Sequence, residues 1–286
     1  MRLIYNTILK LLPTRLFLYL QYRRRTGQKL NLKNPILYNE KLQWLKLHDK
    51  NKEYINLVDK YEVREYVKKN IGEEYLVPNY GVWNTPDEIP FNDLPEQFVL
   101  KCTHDSGGVF ICNNKKEADF SSICNFLRKQ LKTNHYYNSR EWPYKFIKPR
   151  IIADELLIDN SEGGLKDYKI FCFNGEPKII QVDLDRFTSH KRNFYSTEWV
   201  YQNFSIKYPS APNIVIQKPQ SLELMLDLAK KLSFDKIHVR VDFFILNNKI
   251  YFGELTFFHG SGCEQFTPPE WNKTFGDWII IPKNIK

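Results

Sequence analysis

The chain has 286 residues, 42% hydrophobic and 15% aromatic, with 42 Lys and Arg against 33 Asp and Glu for a formal charge of +9. This composition excludes a disordered polypeptide, and 12 Gly with 15 Pro exclude collagen-like and low-complexity classes. The length gives one large domain or two to three interlocked subdomains, and the charge asks for an acidic partner (nucleic acid, anionic membrane, nucleotide or acidic polysaccharide) without choosing among them. The five cysteines form no CxxC pair, which argues against a disulfide framework or a zinc ribbon and predicts a reducing, cytoplasmic setting.

In chain order, residues 1–34 form a basic, amphipathic segment expected to be helical. Lys10, Pro13 and Arg15 interrupt its apolar residues, so no run reaches the roughly 18 residues of a spanning helix. No small-residue cleavage site follows, which disfavours a signal peptide. Two readings stand: helices packed on the main domain with Arg23, Arg24 and Arg25 in water, or peripheral contact with the inner membrane surface. Asn39 to Val67 reads as helical, with Leu42, Leu45, Ile55, Val58 and Val67 as its apolar positions. Phe98-Val99-Leu100 and Val109-Phe110-Ile111 predict a hairpin around the turn Thr103 to Gly108. Ile151 to Leu157 predicts a strand, and Tyr168–Phe173 and Pro177–Val182 a hairpin through Asn174-Gly175. Ser221 to Leu232 is an amphipathic helix with Ser221 as candidate N-cap, and His238–Ile245 and Ile250–Phe257 form the last hairpin around Asn247-Asn248. Helices, strands, one helix and strands again predict an α+β fold with antiparallel sheets.

The last hairpin carries the sharpest chemistry. Strand alternation places His238, Arg240 and Asp242 on one face and, on the return strand, Phe252, Glu254 and Thr256 on one face, with Asp242 beside or opposite Glu254. Two carboxylates so placed repel unless a cation lies between them. A hard divalent ion such as Mg²⁺, which shares its coordination with water and phosphate, meets that need, and Arg240 can then hold a phosphate oxygen. The turn Ser106-Gly107-Gly108 lets backbone N–H groups approach a phosphate, with Lys101 at its base and Lys169 as a third cation, although no GxxxxGK[ST] motif occurs.

The order of these pieces resembles the ATP-grasp superfamily and, within it, the TupA-like branch of bacterial surface-polysaccharide clusters. The matching stretches are Asp59 to Arg64, Phe98 to Lys101 with Ser106 to Gly108, Asp154 to Leu157, Asp167 to Lys169, Arg240 to Asp242, and Gly253 to Thr256. The resemblance implies an ATP-grasp fold, two α+β subdomains gripping ATP between antiparallel sheets. It would span residues 35–286, with a glycine-rich-loop subdomain near 90–150 and a metal-binding subdomain near 151–275. It implies that Lys60, Lys101 and Lys169 contact phosphates, that Ser106, Gly107 and Gly108 cover the nucleotide, and that Asp154, Glu155 and the backbone of Leu157 meet the adenine. By the same likeness Asp242 and Glu254 bind magnesium, Arg240 steadies the transferred phosphoryl group, and Ser261 and Gly262 bind the acyl phosphate. Thr256 stands where the family has an asparagine ligand, and Asp159 and Glu162 both suit the ribose.

The implied activity is an ATP- and Mg²⁺-dependent acid–amine ligase that joins a uronic-acid carboxylate, polymer-borne or nucleotide-linked, to an amino acid or amino alcohol. Arg186, His190 and Arg192 are candidate contacts for the acidic sugar, and His259 lies just past Glu254. A glycosyltransferase reading rests on the DxD-like Asp183-Leu184-Asp185. A nucleic-acid module lacks any recognisable motif, and a polysaccharide-binding protein without chemistry would have no affinity for MgATP.

Overall fold

Two groups of alternating apolar strands each build an antiparallel sheet, and the chain divides accordingly. In a computed structural model that describes residues 11–105, 107–159, 164–184 and 189–282, one unit takes residues 1–50 and 160–286 and the other residues 51–159. We call them the split unit and the inserted unit. The break falls at 50/51 and 159/160 rather than near 90 and 150, because strands on both sides of the expected borders are hydrogen-bonded into the inserted unit's sheet. The described part of the N-terminal segment, from residue 11 onward, belongs to the split unit.

The split unit begins with α1 (Thr14–Thr26) and α2 (Tyr38–His48). Phe17, Leu18 and Tyr22 of α1 are buried with Leu30, Leu32 and Cys263, so this helix packs on its own unit. No helix among the described residues is long and apolar enough to cross a membrane. Glu40 fixes the start of α2 by accepting the backbone N–H groups of Ile36 (3.0 Å) and Leu37 (3.1 Å), donors that a helix N-terminus otherwise leaves open.

The inserted unit holds α3 (Tyr54–Val58), α4 (Val63–Asn70), β1 (Asn79–Trp83), β2 (Phe98–Cys102), β3 (Val109–Cys112), α5 (Phe120–Leu131), the single turn α6 (Tyr136–Ser139) and β4 (Ile151–Glu155). Its sheet runs β1-β4-β2-β3. Inward side chains of β2 and β4 (Phe98, Leu100, Ile151, Ala153) meet Ile123 and Leu127 of α5 in one core. The hairpin read at residues 98–111 is present, with Lys101 opposite Val109. The strand read to Leu157 ends at Glu155.

The split unit resumes with β5 (Asp167–Phe173), β6 (Glu176–Leu184), β7 (Lys191–Ser196), β8 (Tyr201–Gln202), β9 (Ser205–Ile206), α7 (Leu222–Ser233), β10 (His238–Leu246), β11 (Lys249–Thr256), β12 (Phe266–Thr267) and α8 (Glu270–Trp278). Its large sheet runs β11-β10-β5-β6-β7-β8, and β12 pairs with β9. Asn174 and Gly175 take positive φ (50° and 82°), as do Asn247 and Asn248 (51° and 61°), so both hairpins turn through two left-handed residues. Leu222, Met225, Leu228, Ala229 and Leu232 bury the predicted face of α7. Ser221 occupies the N-cap position, but its side chain makes no capping bond. The high aromatic content collects around Phe275, whose ring meets Tyr38, Phe171, Phe173, Phe204, Phe266, Trp271 and Trp278 at centroid distances of 5.0–6.3 Å.

Candidate active site

In the split unit, β10 and β11 bring the predicted pair together. Asp242 lies directly opposite Glu254, and Arg240 opposite Thr256. The register then shifts by one residue, so that Phe243 faces Phe252. This bulge leaves Gly253 as the extra residue and moves Phe252 to the apolar face, where its ring meets Phe243 edge-on at 6.4 Å. The expectation that Phe252 shares a face with Glu254 is thereby corrected, because strict alternation does not survive a bulge.

Arg240 is the centre of the cluster. Its Nε and Nη2 each donate to Asp242 at 2.6 Å, and Nη2 also reaches Glu254 Oε1 and Thr256 Oγ1 at 3.1 Å. Lys169, on the neighbouring β5, donates to Asp242 at 2.8 Å and to Asp167. Asp242 and Lys169 are both buried, whereas the Glu254 side chain is 45% exposed. Burial alone would raise the Asp242 pKa, but Arg240 and Lys169 outweigh it and hold the carboxyl below its ordinary value. Burial likewise opposes the charge on Lys169, and Asp242 and Asp167 outweigh it, so its pKa rises. The ammonium that the resemblance assigns to a phosphate is therefore occupied by two carboxylates of its own unit.

A magnesium ion fits this donor set. Asp242 and Glu254 present carboxylate oxygens directly opposite each other on the ladder, and the Thr256 hydroxyl lies 3.0 Å from Glu254 Oε1. Of about four acceptor positions on a carboxylate, Asp242 has three filled, and every candidate donor atom is oxygen. Among the described residues no group of three or more His, Cys, Asp or Glu could hold a metal by itself, so the ion would complete its shell from water and phosphate.

His259 backs the cluster. Arg240 Nη1, which can only donate, lies 2.6 Å from His259 Nδ1, so Nδ1 accepts and Nε2 carries the hydrogen towards Glu264 at 3.1 Å. Burial lowers the His259 pKa, in keeping with a neutral ring. Glu264 also lies near Arg192 (3.6 Å) and Lys207 (3.3 Å). Burial opposes its charge, but the His259 N–H and the charges of Arg192 and Lys207 prevail and depress its pKa. Arg192 itself is buried, donates from Nε to Asp183 at 2.7 Å and from Nη1 to the Ile206 carbonyl. His190 lies 3.2 Å from Asp183 and stacks on Tyr208. The first Asp of the DxD-like triplet is thus the counter-ion of Arg192. Asp185, Arg186, Ser106 and Glu162 lie outside the described residues.

Residues 260–262 adopt three successive left-handed conformations, Ser261 among them (φ 57°), a conformation that costs a side-chain-bearing residue about 1 kcal/mol or more. Three polar residues of α2 hold this loop. Asn39 donates to the Glu264 carbonyl (2.7 Å), and Gln43 donates to the Ser261 and Gly262 carbonyls (both 2.8 Å). Lys46 donates to the Ser261 carbonyl and hydroxyl (3.0 and 2.9 Å). Sequence reasoning passed over this trio. Their i, i+4, i+7 spacing beside Leu42 and Leu45 was the available signal.

In the inserted unit, Asp105 accepts the N–H groups of Gly107 and Gly108 (3.3 and 2.9 Å), and Lys60 donates to the Asp105 carbonyl. Lys101 pairs with Asp154 at 2.8 Å, and Asp154 also accepts from Asn79. The Asp154 carboxylate, which the resemblance directs at adenine, is paired with Lys101. Glu155 is exposed, Leu157 is half-buried, and the Glu155 N–H donates to the Pro78 carbonyl.

A family model described as TupA-like ATPgrasp matches residues 40–280. The chain belongs to the TupA-like ATP-grasp family. No curated protein matches it. Among solved structures it is similar to D-alanine–D-alanine ligase from Bacillus anthracis complexed with ATP (12% identity, 71% of this chain and 54% of that chain, TM-score 0.41). It is also similar to the D-alanine–D-alanine ligase of Helicobacter pylori (14%, 85% and 69%, 0.44) and to the ATP-grasp ligase PsnB complexed with minimal precursor, Mg and ADP (10%, 83% and 65%, 0.39). The TupA-like chain spans about half the length of the first of these, 54%.

Proposed function

We propose that this TupA-like protein is an ATP-dependent carboxylate–amine ligase. Its acid would be a uronic-acid carboxylate of a surface polysaccharide or of its nucleotide-sugar precursor, and its amine an amino acid or amino alcohol. Family membership supports the ligase class. The observation that carries the chemistry is the β10–β11 cluster, where a half-exposed Glu254 lies opposite a buried Asp242 under one guanidinium.

In the proposed reaction a substrate carboxylate oxygen attacks the γ-phosphorus of ATP, and ADP leaves. The amine nitrogen then forms a bond to the acyl carbon as the C–O bond to phosphate breaks, and the nitrogen loses a proton. Both steps need charge neutralisation and placement more than a protein nucleophile. A bound Mg²⁺, held by Glu254 and Asp242 with Thr256 beside them, would neutralise phosphate charge. Lys60 and Lys101 would bind phosphate oxygens, with Asp154 keeping Lys101 extended. Arg240, buried and with its plane fixed by Asp242 and His259, would stabilise the transferred phosphoryl group. Lys169 would keep Asp242 ionised. Ser261 and Gly262 would bind the acyl phosphate. In the site for the acid, His190 and Arg186 would be the sugar contacts, and Arg192 would position His190 through Asp183.

The deciding experiment is a matrix of uronic-acid donors against amines with MgATP, read by phosphate release and product mass. Phosphate release that requires both partners, with an amide of the summed mass less water, is the expected result. Hydrolysis of sugar nucleotides without ATP would replace the ligase reading with a glycosyltransferase. No thermal shift with MgATP would leave a binding protein without chemistry.

A further inference from the structure

The net charge of the molecule is concentrated at one place. Residues 1–34 contain eight of the 42 Lys and Arg and none of the 33 Asp and Glu, so they carry nearly all of the +9. In their described part, Arg15, Arg23, Arg24, Arg25, Lys29 and Lys33 are all exposed.

The helix α1 has two apolar faces. Phe17, Leu18 and Tyr22 face their own unit. On the opposite side Leu16, Tyr19 and Leu20 are 45%, 36% and 44% exposed. With Arg23 they form an i, i+3, i+4, i+7 stripe, and at 100° per residue Arg15 and Arg24 fall on its two flanks. A helix C-terminus gives basic residues a reason to collect in the last turn. It gives none for three large apolar side chains turned outward in the turns before it. A nucleic acid or a polyuronate would use the cations but leave these side chains in water, whereas an anionic bilayer takes both. At 13 residues the helix is too short to span the roughly 30 Å hydrocarbon core and would lie flat.

We infer that the outward face of α1 is a docking surface for an anionic lipid bilayer, with Leu16, Tyr19 and Leu20 entering the headgroup boundary and the arginines meeting lipid phosphates. This surface shares no residue with the proposed ligase site, so it stands or falls separately from the reaction.

The test is co-sedimentation of the full chain with phosphatidylglycerol-rich vesicles and with phosphatidylcholine vesicles, over a salt series. The expected result is binding to the anionic vesicles, about tenfold or more above the neutral ones and weakened by salt. Leu16→Ser/Leu20→Ser and Arg23→Gln/Arg24→Gln should each reduce it about tenfold, with unchanged thermal midpoints because all four side chains face outward. Absence of binding to the anionic vesicles by the wild type would overturn the inference. So would a Leu16→Ser/Leu20→Ser protein that binds like wild type, or tighter binding to a soluble polyuronate that ignores those two leucines.

Discussion

Asp242 and Glu254 face each other across one ladder, yet substituting them asks different questions. Asp242 is buried between Arg240 and Lys169, so Asp242→Asn leaves two buried cations short of a counter-charge. Breaking such an arrangement costs about 3 kcal/mol, and the loss of activity would be mixed with a loss of stability. Glu254, whose side chain is 45% exposed, has no such burial to lose. Glu254→Gln should keep its unfolding midpoint while turnover falls by about 10–100-fold or more. Midpoint and turnover measured on the same preparations distinguish the two. Wild-type turnover in Glu254→Gln would mean that the metal site is elsewhere. The residue types were legible from alternation along two strands. Which carboxylate is already neutralised was not, because Lys169 arrives from a strand 73 residues away in sequence.

Elements place the remaining groups, and here glycine and buried polar side chains do what residue identity alone does not announce. The hairpin around residues 103–108 was visible as a glycine-rich turn, but its two glycines are not equivalent. A Cβ on Gly108 would lie 2.7 Å from Asp105 Oδ2 and 2.9 Å from Cys102 Cβ, whereas a Cβ on Gly107 meets nothing within 4 Å. Gly108→Ala should therefore break the Asp105 turn and weaken MgATP binding by about tenfold, as expected when about 1–2 kcal/mol of turn geometry is lost. Gly107→Ala should bind MgATP like wild type, and calorimetry on both variants gives the answer. Helix α2 makes the complementary case. Its Asn39–Gln43–Lys46 stripe holds a loop that has Ser261 in a left-handed conformation and carries His259 onto Arg240. Leu42 and Leu45 marked α2 as a packed helix. The polar stripe beside them finds its use only 215 or more residues later in the chain. Lys46→Met should lower turnover more than it raises the KM for MgATP, because the loop is displaced while Lys60 and Lys101 are untouched. Equal losses in both, or none, would deny α2 a positioning role.

At the scale of the whole molecule, the opening charge of +9 gave the weakest clue and the antiparallel hairpins the strongest. The α+β character and the strand pairings followed from alternation and Asn-rich turns, which are local. The unit boundary at 50/51 did not, because it depends on which distant strands share a sheet. Long-range assembly also sets the response of the split unit to acid. His238 is buried among the rings of Tyr38, Phe171 and Phe173, with Nδ1 at the Cys172 carbonyl and Nε2 accepting from Tyr38 Oη, both at 2.9 Å. Burial pushes its pKa down to about 3, against 6.5 in an unfolded chain. Between those values the unfolded chain binds a proton that the folded chain refuses. Stability that is present above pH 6.5 is therefore lost as pH falls, at a slope approaching 1.4 kcal/mol per unit, about 1 kcal/mol over the first unit. His259, also depressed, adds in the same direction. Asp183, which burial opposes but Arg192 and its neighbours hold at about 2, contributes stability above its ordinary 3.8 that is lost as pH falls towards its folded value, and Glu264 behaves alike. Urea midpoints between about pH 7.5 and pH 3 should fall from about 6.5 downward and more steeply below about 4.5. His238→Gln should flatten the upper part of that curve by one histidine. A wild-type midpoint that stays level from about pH 7 to 5, or a His238→Gln curve parallel to it, would show that the buried ring takes its proton without opening the fold.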